Sequence, residues 1–280
     1  MDVSPTARRL RLGVILRRLR EDARMTGEQV AGAVERSASW VSRVEAGRLG
    51  LRKRDLQDLL DLYGVRDQER RSELEGLVRQ GSDRGWLSPY RDSLPRELSH
   101  YIGLEEDATE LLVYEDRFVP GLLQTSAYAR AIFETAVPRL SPSIIDARLH
   151  VRLTRQRLLS KIPPLRLECV LDEAVLLRAF CGSTVLTEQL AELVHAARQQ
   201  HIEIRVLPLR QRARDSVTAG FTILRFENLP EIVYIESLTG GIIIQGPEVE
   251  AYKAAFGHVR SVAMTPTASL GLVRRTLREH

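Results

Sequence analysis

The sequence predicts two domains of different class: an all-α head of five short helices, then a mixed α+β domain with a small, mainly antiparallel sheet. Three observations carry this. Apolar residues recur at helical spacing through the first 80 residues, a polar glycine-rich stretch (QGSDRG) follows at 80–85, and strand-like alternation appears only after it. The domains are therefore set at 1–80 and 86–280, with 81–85 as a linker. At 280 residues the chain is long enough for two separate cores.

Each element of the head has a start signal and an inward face. Ser4-Pro5 opens a first helix with Leu10, Val14, Leu16 and Leu19, running to Asp22. Thr26 and Gln29 have the spacing of a capping box, so a second helix begins there and turns Val30, Ala31 and Val34 inward. Ser37 is the next N-cap, and Val41 and Val44 face inward from a third helix that stops at Gly47. A fourth spans Leu51 to Tyr63, with Leu56, Leu59, Leu60 and Leu62 inward and Gly64 ending it. A fifth runs from Asp67 to Arg79.

Behind the linker, residues 95–115, 122–135 and 143–160 read as helical. Leu165–Leu171, Ile202–Leu207, Phe221–Phe226 and Ile232–Glu236 read as strands. Helices at 172–180 and 184–200 lie between the first two strands. The last strands are joined by short loops, which predicts antiparallel pairing. Helices at 247–263 and 266–278 close the chain.

Charge separates the two parts. Residues 1–80 hold 17 Lys+Arg against 13 Asp+Glu, and the other 200 residues hold 24 of each. All of the net charge of +4 therefore sits in the head, where residues 36–54 alone contain six basic residues to one acid. Basicity concentrated on one domain points to a nucleic-acid surface, against the plainer reading of a solvated basic face.

Other functions find little support. Cys169 and Cys181 lack metal-ligand spacing, which fits a reducing compartment without disulfide or zinc scaffold. No apolar run approaches the roughly 18 residues of a membrane span, and the arginine-rich start is unlike a signal peptide. The expectation is a cytoplasmic protein. No GxSxG, Walker loop, HExxH or GxGxxG occurs, and His195 and His201 have no spaced acidic partners. Cys169 reads as a core residue and Asp172-Glu173 as a helix-start preference. Neither enzyme chemistry nor a metal or cofactor is expected.

Two short helices joined by a tight turn, the second starting at a capping serine, form a helix-turn-helix, whose second helix enters the DNA major groove. With Val41 and Val44 inward, the outward set is Ala38, Ser39, Ser42 and Arg43. Small hydroxyls permit close approach to base edges, and arginine reads guanine with two hydrogen bonds. Ser37 caps the helix at its groove-facing end. Thr26 caps the preceding helix beside the backbone. Gln29 either only completes the box or also reaches a phosphate. Trp40 either packs against the fourth helix or lies on the sugar–phosphate edge. Arg48, Arg52 and Lys53 occupy the loop after the recognition helix, where phosphate contacts compete with plain solvation.

The segment Ser37, Ser39, Val41, Ser42, Arg43, Val44, Glu45, Gly47 resembles the third helix of Xre/Cro-type bacterial repressors, and the likeness covers residues 6–64. The resemblance implies that Glu45 is structural and pairs with Arg20 of the first helix. Two positions depart from it: Glu35 stands where the turn usually has glycine, and Arg36 where an apolar residue is usual. A left-handed residue other than glycine costs about 1 kcal/mol.

The second domain offers YEDRFVPGLLQTSAYAR (114–130), Arg155-Gln156, DEAVLLR (172–178), IRVLP (204–208) and GFTILRF (220–226). Together these resemble the C-terminal domain of actinobacterial WhiJ-like, antitoxin-like transcription factors. That resemblance implies a homodimeric regulator whose C-terminal domain dimerises and receives a small acidic partner protein encoded nearby. The expected reading is a dimeric repressor on pseudo-palindromic double-stranded DNA, with half-sites about one helical turn apart. Two alternatives remain: a one-component small-molecule sensor, and an antitoxin-like protein that mainly sequesters its partner.

Overall fold

The computed structural model describes residues 5–80, 86–210, 217, 219–237 and 240–279; the predicted linker at 81–85 lies outside them. Contacts divide the chain into two units, Met1–Ser88 with Ile102–Asp107 and Pro89–Tyr101 with Ala108–His280.

The first unit is helical: α1 (Pro5–Asp22), α2 (Gly27–Ala33), α3 (Ala38–Glu45), α4 (Lys53–Leu62) and α5 (Gln68–Gln80). Leu12 and Leu16 of α1, Val30 of α2, Val41 and Val44 of α3, Leu56 and Leu60 of α4 and Leu74 of α5 are buried together in one core. These are the positions that repeat at three and four residues, so one stripe of each helix faces inward. α1 and α3 cross closely because Gly13 has no side chain. A Cβ there would run into the carbonyl oxygens of Val44 and Glu45.

The second unit takes residues 96–101 from α6 (Arg96–Glu105) and continues with β1 (Glu110–Glu115), α7 (Ser126–Glu134) and α8 (Pro142–Arg155). β2 (Arg166–Asp172), α9 (Glu173–Leu177), α10 (Ser183–Ala196) and β3 (Ile202–Leu207) follow. β4 (Phe221–Arg225), β5 (Ile232–Ile235) and β6 (Ile242–Ile244) precede α11 (Val249–Val262) and α12 (Pro266–Glu279). The six strands form one sheet in the order β3-β2-β1-β4-β5-β6.

That sheet corrects the sequence reading. It is mixed rather than small and mainly antiparallel: β1 runs parallel to β2 and β2 to β3, whereas β1–β4, β4–β5 and β5–β6 are antiparallel. β1 lies inside the stretch 95–115 that was expected to be helical throughout. Leu111, Leu112, Val113 and Tyr114 are all buried, so the strand reads as a continuous apolar run with no period of two. β6 is only three residues long and gave no alternation to recognise.

One face of the sheet, with Leu112, Tyr114, Phe221, Ile223 and Val233, packs against Val249, Phe256 and Val259 of α11. On the opposite face Tyr101 of α6 stacks on Tyr234 of β5 with ring centroids 4.1 Å apart. The corner before α7 is held by amides: Gln124 Nε2 donates to Val119 O at 2.6 Å, and Gln189 Nε2 donates to Leu123 O at 2.7 Å. Thr125 caps α7 by accepting from Tyr128 N. Buried amides therefore fix the corner that the sequence marked with Pro120-Gly121.

Candidate nucleic-acid interface

α2 starts with a complete capping box: Gln29 N donates to Thr26 Oγ1 at 3.2 Å, and Thr26 N donates to Gln29 Oε1 at 2.8 Å. The box uses only the oxygen of the Gln29 amide, so its NH₂ group remains available as a donor. The helix ends in a left-handed residue, Glu35 at φ 53°, and Arg36 N closes back on Ala31 O at 2.8 Å. This is the Schellman closure that glycine usually makes, here carried by a glutamate.

The turn delivers the chain directly into Ser37, whose Oγ accepts from Trp40 N at 3.1 Å and starts α3. Val41 and Val44 are each 3% exposed and anchor this helix to the core. Ala38, Ser39, Ser42 and Arg43 stand exposed on the other side. The Arg43 guanidinium bends back along the helix, with Nε donating to Ser39 O at 3.3 Å. Trp40 is half-buried against the core cluster, and the Arg36 guanidinium lies 5.5 Å from its ring centroid. Arg36 also donates to Asp55 Oδ1 of α4 at 2.8 Å.

A second left-handed closure ends α3. Gly47 has φ 68°, and Arg48 N returns to Arg43 O at 2.9 Å. A Cβ at Gly47 would come within 2.7 Å of Leu10 Cα, so this loop rests on α1 and glycine is required there. Arg48, Arg52 and Lys53 are exposed in and after it. Lys53 Nζ sits 2.8 Å from Glu75 Oε2, whereas Arg52 is the uncapped first residue before α4.

Arg20 and Glu45 meet through two hydrogen bonds, Nε to Oε1 at 2.7 Å and Nη2 to Oε2 at 3.0 Å. The pairing raises the Arg20 pKa against the opposing effect of its burial. Tyr63 lies close enough that burial, with the Glu45 charge added, pushes its phenol up to about 12.

The exposed face of α3, its capped start and the basic loop behind it thus lie in one contiguous run of the head. Arg36, which opens the basic run 36–54 but was not among the expected contact residues, belongs with them. A cation immediately before the N-cap, with tryptophan four positions on, is the signal that marks it. Elsewhere Cys169 is buried in β2 and burial raises its thiol pKa, while Asp172 caps α9 by accepting from Ala174 N at 2.8 Å. Among the described residues no three His, Cys, Asp or Glu side chains converge as metal ligands, and no helix is long and apolar enough to cross a membrane.

Two short capped helices, a tight left-handed turn and an exposed second helix define a helix-turn-helix DNA-binding regulator. The helix-turn-helix domain family matches residues 11–74, and the family described as a domain of unknown function (DUF5753) matches residues 98–275. The chain belongs to the DUF5753 family. No curated protein and no solved structure matches it.

Proposed function

We propose that the chain is a sequence-specific, dimeric repressor of Xre type and of the WhiJ-like, antitoxin-like class, acting in the cytoplasm without catalytic chemistry of its own. The supporting observation is the outer face of α3, where Ala38, Ser39, Ser42 and Arg43 are exposed beside a stretch with six basic residues to one acid. Phosphate contacts from Arg48, Arg52 and the α2 start supply most of the affinity, and Ser39 and Arg43 supply the discrimination between bases. Dimerisation through the second unit brings two heads to half-sites of a pseudo-palindromic operator, and a small acidic partner protein binds the same unit.

Fluorescence anisotropy on the DNA upstream of the protein's own coding sequence, at several salt concentrations, tests this. Binding is expected to be specific and salt-sensitive, and Arg43→Ala to weaken it by about 1–3 kcal/mol while relaxing preference at one base position. Equal affinity for unrelated DNA, or a variant with unaltered base preference, counts against the reading. A second reading, the C-terminal unit as a small-molecule receptor, is favoured by the Glu115 carboxyl, buried beside Glu236 and Asp116 at one end of the sheet.

A further inference from the structure

The first turn of α3 carries Ala38 and Ser39 toward the groove, yet most of what anchors this helix lies behind that turn. Val41 and Val44 enter the core from its middle and its end. Arg20 grips Glu45 at the last residue, and Gly13 lets α1 approach the carbonyls of Val44 and Glu45. Ala38 and Ser39 are exposed, so of the first three residues Trp40 alone reaches the core, and it is half-buried there. The end of the helix that meets the bases is therefore the less firmly held.

Arg36 braces that end from outside. It stands immediately before the N-cap, and its backbone N–H is already fixed on Ala31 O by the left-handed turn. Its guanidinium lies over the Trp40 ring, 5.5 Å from the centroid, while Nη2 donates to Asp55 Oδ1 at 2.8 Å. Asp55 sits in the first turn of α4, whose leading residue Arg52 makes no side-chain cap. A carboxylate there also meets the positive end of the helix dipole. The Asp55 side chain is 15% exposed against 45% for Arg36, so the carboxylate is the fixed member and the arginine is what it holds.

The ring, the guanidinium and the carboxylate thus form a bracket from α3 to α4. Arginine suits its centre, since a planar guanidinium can cover an aromatic face and pair with a carboxylate at its edge. The same pairing neutralises the Arg36 charge, which removes the attraction that would carry it to a phosphate.

We propose that Arg36 is a positioning residue that determines specificity: the bracket with Trp40 and Asp55 sets the first turn of α3, and thereby Ala38 and Ser39, at the base edges, without Arg36 itself touching DNA. The proposal rests on the DNA-binding reading and adds to it a residue outside the contact set. Hydrogen bonds to base edges need their partners placed within about half an ångström, so a first turn free to tilt loses discrimination before it loses affinity for phosphate. An ion pair this exposed adds little to the stability of the whole head.

The test is fluorescence anisotropy of the full chain on its own upstream DNA and on an unrelated duplex of equal length, with Arg36→Ala, Asp55→Ala and the double variant. The readout is the ratio of the two affinities, which cancels the general gain from removing a carboxylate near DNA. Each single variant should lower that ratio roughly tenfold, and the double variant no further, because the two residues act as one unit. The slope of log K against log salt and the melting temperature should stay close to those of the parent. A phosphate contact predicts otherwise: Arg36→Ala would weaken both duplexes alike and reduce the slope by about one unit, with the ratio unmoved in Asp55→Ala. That result overturns the positioning role. Specific binding indifferent to both variants overturns it too and leaves the DNA-binding reading standing, whereas a parent that binds both duplexes equally overturns both. An unfolded head in either variant also overturns it, since the pair would then support the whole domain rather than one turn.

Discussion

Arg20 and Glu45 close a fork-to-fork pair between α1 and α3, and Arg20 Nη1 donates at the same time to Met25 O at 2.9 Å. One guanidinium thereby ties the recognition helix both to the first helix and to the loop entering α2. The side chains are only 14% and 12% exposed, so removing one partner strands a charge away from water. Arg20→Ala should cost roughly 3 kcal/mol, whereas Arg20→Met combined with Glu45→Leu should cost clearly less. Urea unfolding of the single and double variants reads this directly. An unchanged midpoint in Arg20→Ala would contradict the role assigned to the pair.

Glu35 holds φ 53°, a conformation that side chains with a Cβ adopt only at a cost. Glu35→Gly should therefore stabilise the head by about 0.5–1 kcal/mol, the relief of strain outweighing the added freedom of the unfolded chain. Loss of stability in that variant would mean that the glutamate side chain contributes more than its backbone costs.

Arg52 and Lys53 are adjacent and both exposed, but Lys53 is held 2.8 Å from Glu75, which also accepts from Gln57 at 2.9 Å. Those contacts lower the Glu75 pKa, with the Lys53 hydrogen bond as the largest cause. In DNA binding, Arg52→Ala should reduce the slope of log K against log salt by about one unit. Lys53→Ala should change it by less than half as much, because its ammonium is already neutralised. Equal slopes for the two variants would show that DNA takes Lys53 from Glu75.

Glu115 gives the fold a defined pH response. Its carboxyl stands at about 8 in the folded chain against a reference of 4.5. Between those values the unfolded chain loses the proton and the folded chain keeps it, so stability falls as pH rises through this window. Glu115→Gln cannot ionise. Its advantage over the parent in urea unfolding should be small near about pH 5 and largest near about pH 8. A difference independent of pH would place the carboxyl in ordinary solvent.

Much of the head was legible because its decisive interactions are local. The box at Thr26 and Gln29, the cap at Ser37 and the inward Val41 and Val44 are separated by three or four residues, which is the range over which a helix reports its own geometry. Lys53 escaped such reading, since Glu75 lies 22 positions along the chain. In the second unit the strands that alternate, at Ile202–Leu207 for example, were recognisable. β1 was not, because a central strand covered on both faces shows no alternation, and its neighbours β2 and β4 come from distant sequence.

The sequence by itself determined the helix-turn-helix, its caps and the outward set on α3, because backbone caps and a 3.6-residue period need no knowledge of the rest of the chain. Only the tertiary structure decided the order and direction of the six strands. It alone set Glu115, Gly220 and Glu236 side by side at one end of the sheet. Such relations depend on which distant segments pair, and pairing is chosen by burial of the whole sheet rather than by any local pattern.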